Sequence, residues 1–321
     1  MSGPGPALLA RFRGDLEALA GGAPGRLGVA VSGGPDSLAL LLLADGAYPG
    51  RVAAATVDHK LRPESAGEAA SVAGICAGLG VPHAILAADA ADGPVTGNVQ
   101  SAARALRYRL LAAWAQSEGI GLIITAHHQD DQAETLVMRL RRGAGLSGLS
   151  GVRAATRIAG VAVARPLLGW SRADLAAIVA AAGIAPVDDP SNADMRYDRA
   201  RLRRRLAEAG GIDAAAFARS AGALAEADAA LEWAVERLIE EQVKRADGAA
   251  TFDPEGVPAE LRRRILLRIL LMLVPADPPR GEALQRLLAA LDAGETATLA
   301  GVKCAGGPVW RFTPAPPRRG P

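Results

Sequence analysis

Leu27-Gly28-Val29-Ala30-Val31-Ser32-Gly33-Gly34-Pro35-Asp36-Ser37-Leu38-Ala39-Leu40-Leu41-Leu42-Leu43 reads as a buried strand, a tight glycine turn and the start of an apolar helix. Such an arrangement builds an anion site. Gly33 and Gly34 are open to backbone angles closed to other residues, so their N–H groups are free to face a ligand. A helix beginning near Ser37 adds unsatisfied N–H groups and the positive end of its dipole. Ser32 and Ser37 add hydroxyls. The turn suits phosphate or pyrophosphate; the plainer alternative is an ordinary connection capped by Asp36 or Ser37. No Gly-Lys-Ser/Thr follows, so it is not a Walker A loop.

Outward from this turn, short apolar runs alternate with helical patterns. Strands are predicted at Leu27–Val31, Val52–Val57, His83–Ala87, Leu122–Thr125 and Val161–Ala164. Helices are predicted at 37–44, 65–79, 98–118 and 130–142. Ser65 with Glu68, and Ser171 with Asp174, have capping-box spacing. The alternation predicts an α/β fold, a parallel sheet with helices on both faces. Ligands then bind beyond the carboxyl ends of the strands, where the glycine turn lies. After Arg205 the pattern changes to long helices at 214–246, 258–273 and 281–292, a smaller, mainly helical domain. The expected organisation is an N-terminal extension at 1–24, the α/β domain at 25–205, the helical domain at 206–312 and a disordered tail at 313–321.

Bulk properties narrow the class. The chain has 321 residues, half of them apolar and only 3% aromatic, so alanine and leucine carry the core. Cys76 and Cys304 are the only cysteines and lie far apart, which disfavours a disulfide framework or structural zinc and favours a reducing cytoplasm. No apolar run reaches membrane-spanning length. Net charge is +2 but unevenly placed: residues 139–205 hold 13 Arg and Lys against 5 Asp and Glu, and the remainder 23 against 29. A basic middle points to a polyanionic partner, with a solvated surface as the alternative.

Two further segments carry chemistry. Thr125-Ala126-His127-His128-Gln129-Asp130-Asp131-Gln132-Ala133-Glu134-Thr135 follows a strand end, on the same rim as the turn. Asp131 and Glu134 are three apart, on one helical face. Paired carboxylates there suit Mg²⁺, an ammonium group or a proton, although acids at a helix start also serve as caps. His127 and His128 suit phosphate contact or acid catalysis, or packing as neutral rings. Asp188-Asp189-Pro190-Ser191-Asn192 is a turn, followed by Arg196, Arg199, Arg201, Arg203, Arg204 and Arg205, which suit phosphate or a solvated face. The glycine-rich segment Gly143–Gly151 suits a mobile loop or a linker.

The turn SGGPDS resembles the PP-loop of the ATP pyrophosphatases, which cleave ATP between the α- and β-phosphates and leave an adenylated substrate. Together with Val57-Asp58-His59-Lys60-Leu61-Arg62-Pro63-Glu64-Ser65, HHQDDQAET, Arg165-Pro166-Leu167-Leu168 and DDPSN, in that order over roughly residues 25–205, it resembles the tRNA(Ile)-lysidine synthetase family. Lys60 stands where that family's pattern has glycine, and Ala200 where it has asparagine after Arg199.

The resemblance implies a Rossmann-like PP-loop domain and a cytoplasmic ligase. That ligase uses ATP and Mg²⁺ to join free L-lysine to C2 of the wobble cytidine of a tRNA(Ile) with a CAU anticodon. Ser32, Gly33, Gly34, Pro35, Asp36 and Ser37 would bind ATP; Asp36, His127, Asp131 and Glu134 would be catalytic; Asp36 and Asp130 would hold metal. Asp189, Asn192, Arg199 and Arg205 would bind substrate. Three rivals remain. A tRNA thiolase of the same group needs paired cysteines. An amidotransferase needs a glutaminase region, for which there is no room before residue 25. A non-catalytic nucleotide- or tRNA-binding protein sits badly with intact SGGPDS and HHQDDQAET.

Overall fold

The structure is a computed structural model that describes residues 3–60, 64–88, 99–187, 202 and 213–315. Chain contacts divide it into two units, Met1–Ala225 and Glu226–Pro321. The division falls later in the chain than the 205/206 boundary expected above.

The first unit contains α1 (Pro6–Ala20), β1 (Leu27–Ala30), α2 (Pro35–Ala47), β2 (Val52–Asp58), α3 (Ser65–Leu79), β3 (His83–Ala87) and α4 (Val99–Ser117). It continues through β4 (Leu122–Ile124), α5 (Gln129–Leu140), α6 (Leu146–Leu149), β5 (Ala155–Ile158), β6 (Val161–Ala164), α7 (Arg172–Ala181) and the start of α8 (Ala214–Gln242). The strand order is β3-β2-β1-β4-β6-β5. All neighbours run parallel except the edge strand β5, which returns antiparallel to β6. The sheet is therefore mixed, correcting the all-parallel expectation at one edge.

The order places the functional rim. From β1 the chain proceeds outward to β2 and β3, then crosses back to β4 on the other flank of β1. Between β1 and β4 the winding reverses, and an open crevice forms at their carboxyl ends. SGGPDS follows β1 and HHQDDQAET follows β4, so both segments are delivered to one crevice.

One face of the sheet carries α1, α2 and α7. Leu38 to Leu43 on α2 are 0–4% exposed, as expected of a helix apolar all round and enclosed by others. Truncating one such leucine costs about 2–5 kcal/mol. Phe12 and Leu16 of α1 are wholly buried in the same cluster, so residues 6–20 belong to the core and are not an extension. Leu8, Phe12, Leu16 and Leu19 recur at helical spacing and supply that apolar stripe. The other face packs Tyr108, Leu111, Trp114 and Ala115 of α4 against Ala53, Ala55, Ile123 and Val163 of the strands.

The second unit takes the remainder of α8, then β7 (Val243–Ala246), β8 (Ala249–Phe252), α9 (Ala259–Leu273), α10 (Gly281–Asp292), β9 (Thr296–Leu299), β10 (Val302–Ala305) and β11 (Trp310–Pro314). Its five strands form an antiparallel sheet, β7-β8-β11-β10-β9, absent from the helical expectation. The expected helix at 214–246 ends at Gln242, and Thr313 and Pro314 of the expected tail belong to β11. Phe252 and Trp310 meet edge to face, 5.7 Å between centroids, in one buried cluster with Leu284, Leu287, Leu288 and Leu291 of α10.

Arg264, only 4% exposed, is held there by Asp228, Glu232 and Glu260 at 2.7–2.8 Å. Burial opposes ionisation of Glu232, yet hydrogen bonds from Arg268 and Arg264 keep its pKa below the usual value; a hydrogen bond from Arg263 does the same for Glu260. Depressed acids stabilise the fold above their unfolded pKa and lose that contribution as pH falls through the folded value. The full chain is therefore expected to lose thermal stability as pH drops below about 4.5, the ordinary glutamate value. Glu260→Gln is expected to flatten that loss in melting curves taken across pH 6 to 3; equal slopes for native and variant chains would contradict it.

Candidate active site

The glycine turn folds as its sequence requires, with two adjustments. Gly33 has φ +87°, in the region that favours glycine. Gly34 does not; it is extended at φ −70°, ψ 160-odd, and is the N-cap of α2, with Pro35 in the first turn. The helix thus starts before Ser37, and neither Asp36 nor Ser37 caps it. Ser37 Oγ instead accepts from the Ser32 N–H at 3.1 Å and donates to the Gly34 carbonyl at 2.9 Å, bracing the turn. No side chain caps the α2 N-terminus, so its first-turn N–H groups stay available to an anion.

Asp36 stands in the first turn of α2. Its Oδ2 is 3.3 Å from Nε2 of His128, while its buried Oδ1 has no hydrogen-bond partner among the described residues. His128 is the N-cap of α5 and is 2% exposed. Its Nδ1 is 3.2 Å from both the backbone N and Oδ2 of Asp130, and its Nε2 is 3.7 Å from Asp131 Oδ2. The two Nδ1 contacts exclude each other: a neutral ring accepts from the N–H, and an imidazolium donates to the carboxylate. Burial disfavours the charged ring, but the hydrogen bonds to Asp130 and Asp36 and the charge of Asp131 outweigh it, and the pKa is pushed up to about 9. At neutral pH the ring is an imidazolium among three carboxylates.

The remaining acids divide by geometry. Asp131 Oδ2 accepts from the His128 backbone N–H at 3.0 Å, so one of its oxygens is a helix cap. Asp130 is pulled below the usual carboxylate range by its bond to His128. Glu134, one turn on, is 2% exposed. His127, expected in the site, places Nδ1 3.0 Å from Thr125 Oγ1. His128 is the histidine that touches Asp36. Its position at the strand-to-helix junction, immediately before a Gln-Asp-Asp first turn, was the available signal. Asp36 and Asp130 stand at opposite nitrogens of that one ring, which separates the pair expected to share a metal. Among the described residues no three His, Cys, Asp or Glu side chains form a metal cage.

Asp189, Asn192, Arg199 and Arg205 lie outside the described residues. The chain enters that segment from the turn itself: Val187 N–H donates to the Gly33 carbonyl at 2.9 Å. A Cβ on Gly33 would come within 2.8 Å of Val187 Cγ2. The segment 143–151 contains α6 and is fastened to α5. Arg139 Nη1 donates to the Gly148 carbonyl and, at 2.8 Å, to that of Gly151. Gln132 donates to the Val152 carbonyl at 3.2 Å and accepts from its N–H at 2.6 Å.

In the VDHKLRPES stretch, buried Asp58 accepts from the Lys60 N–H at 2.8 Å and from Ser65 Oγ at 2.7 Å. Ser65 therefore closes this loop and does not form the expected capping box; Ser171 and Asp174 do form theirs. Lys60 has φ +51°, which accounts for the glycine in the family pattern.

A family profile described as a PP-loop domain matches residues 12–209. A curated tRNA(Ile)-lysidine synthase from Novosphingobium aromaticivorans is 52% identical over 313 residues, covering 96% of this chain and 94% of that protein. The chain belongs to the tRNA(Ile)-lysidine synthase family. A synthase of the same name from Zymomonas mobilis is 43% identical over 301 residues, 92% of this chain and 90% of that one. Among solved structures, the U34-tRNA thiolase NcsA from Methanococcus maripaludis matches with TM-score 0.55 at 16% identity, over 68% of this chain and 79% of that one, a likeness of fold. The lysidine synthase chain is thus a ligase-type enzyme that uses ATP through its PP-loop domain and acts on tRNA. Its two cysteines, Cys76 and Cys304, are both free and buried. Among the described residues no helix is long and apolar enough to cross a membrane.

Proposed function

We propose that this chain joins the ε-amine of free lysine to C2 of the wobble cytidine of a tRNA(Ile) with a CAU anticodon. The supporting observation is the contact between the ATP-binding turn and the acidic helix start, Asp36 to His128 at 3.3 Å, in one crevice. In the first step the cytidine O2 attacks the α-phosphorus of ATP and pyrophosphate leaves. In the second the lysine ε-nitrogen attacks C2, and AMP leaves with that oxygen.

The chain's residues fit these steps in turn. The backbone of Ser32–Ser37 and the open α2 N-terminus hold the departing pyrophosphate. The His128 imidazolium fixes Asp36 and Asp130 and adds positive charge beside developing negative charge. Asp36 Oδ1, a buried carboxylate oxygen without a partner, fits Mg²⁺, a hard cation held by one or two carboxylates together with substrate phosphates. When bound, that ion would offset phosphate charge; Asp130 is engaged by His128. Asp131 and Glu134 receive the lysine ammonium. An amine of pKa about 10.4 must lose a proton before attack, and a carboxylate in that position takes it. Asp189, Asn192, Arg199 and Arg205 contribute to holding the RNA or the adenylate phosphate, and His127 contacts phosphate. The chain works in the cytoplasm.

Incubation with ATP, radiolabelled lysine and a CAU-anticodon tRNA(Ile) tests the proposal. Label entering the RNA, with pyrophosphate and AMP released, is the expected result. ATP and tRNA binding with no label incorporated would overturn it in favour of a binding protein.

A further inference from the structure

Arg165 immediately follows β6, opens the Arg165-Pro166-Leu167-Leu168 stretch and is 3% exposed. Its Nη1 donates to the Arg153 carbonyl at 2.7 Å and its Nη2 to the Tyr108 hydroxyl at 3.4 Å. Its Nε is buried without a hydrogen-bond partner. Among the described residues no carboxylate pairs with this guanidinium. A buried cation lacking a counter-charge is costly, so such groups normally pair.

Arg165 is not isolated. Arg104, exposed on α4, reaches the same Tyr108 hydroxyl at 3.5 Å, its guanidinium 5.1 Å from the ring centroid. Arg107, one helical turn from Arg104, donates to His59 Nε2 at 3.4 Å. Neither arginine has a carboxylate partner among the described residues. Like charges at this spacing repel, so an anion received where Arg104 and Arg165 meet at Tyr108, with Arg107 one turn away, would stabilise the group.

The position of the group selects that anion. His59 follows β2 and Arg165 follows β6, and β1 and β4 lie between those two strands in the sheet. Three strand spacings are roughly 14 Å. Arg104 and Arg165 meet at one hydroxyl and Arg107 lies toward His59, so the group offers more than one phosphate position, and the phosphates of ATP already have the turn after β1. A strand of RNA, with phosphates repeating along it, has the charge and the reach. We propose that Arg104 and Arg165, which share the Tyr108 hydroxyl, form with neighbouring Arg107 a second phosphate site that grips the tRNA backbone beside the crevice. This inference rests on the tRNA-dependent reaction proposed above.

Binding of a CAU-anticodon tRNA(Ile) to the full chain, measured over a series of salt concentrations, tests it. Arg104→Gln lies on the surface and should not disturb folding. It is expected to weaken tRNA binding about threefold to tenfold and to make the salt dependence shallower by roughly 0.7 to 0.9 per lost phosphate contact. Arg165→Gln, checked for native-like melting, is expected to weaken binding further, while ATP affinity stays unchanged in both. Unchanged tRNA affinity and salt slope in folded Arg104→Gln, or a loss confined to ATP, would overturn the site. Failure of the native chain to bind tRNA would overturn it together with the function on which it rests.

Discussion

A chain carrying His128→Asn is expected to release tRNA-dependent pyrophosphate at no more than about a hundredth of the native rate, the scale lost when one preorganised donor is removed. Asparagine is a good N-cap, so α5 keeps its start. What disappears is the positive charge between Asp36, Asp130 and Asp131. These carboxylates then repel one another, and Asp36 loses the 3.3 Å contact that orients it beneath the turn. Alanine at the same position offers no capping side chain and is expected to be about 1 kcal/mol less stable than the asparagine variant. Pyrophosphate release and the melting midpoint, measured together, separate the two effects. A folded His128→Asn chain working at the native rate would refute the electrostatic role. Asp36→Ala attacks the same contact from the other side and is expected to abolish release.

Glu134→Gln is expected to divide the reaction in two. Pyrophosphate release should persist within a few-fold, whereas transfer of labelled lysine should fall by about 10²–10⁴, the range for loss of a general base. Glutamine preserves the shape of this buried side chain but neither balances an ammonium charge nor accepts its proton. Adenylated tRNA should accumulate. Equal losses in both steps would mean that Glu134 shapes the crevice as a whole and does not serve the lysine step alone.

The crevice was legible because apolar runs and glycine punctuation survive as sequence patterns. The strand Leu27–Ala30, the glycine turn and α2 are consecutive, so local rules suffice. The second sheet was harder to read. Its strands have four or five residues, too few for alternation to stand out. Two of its hairpins turn on Asp247-Gly248 and Ala300-Gly301, all with positive φ as tight hairpins require. Asp-Gly is a recognisable turn signal; Ala-Gly, used again at Ala159-Gly160 before β6, is not. Only its place immediately before the Gln-Asp-Asp first turn set His128 apart from His127 in the sequence. Adjacent residues at a strand exit face different ways, and only the partner brought in from α2 decides which one meets Asp36. Ser65 shows the same limit: its spacing to Glu68 fits a cap, but Asp58, seven residues upstream, claims its hydroxyl.

The cysteines have a consequence beyond packing. Cys76 is wholly buried in the first unit and Cys304 in the second, and burial pushes their thiols up to about 11 and about 12. The thiolate is the reacting form, so both are silent toward alkylating reagents while their cores are closed. Each unit therefore contains one chemical clock that starts only when that unit opens. Mass spectrometry of a briefly alkylated chain reads the two clocks separately, giving the opening rate of the ATP-binding half and of its companion in one sample, without an added probe.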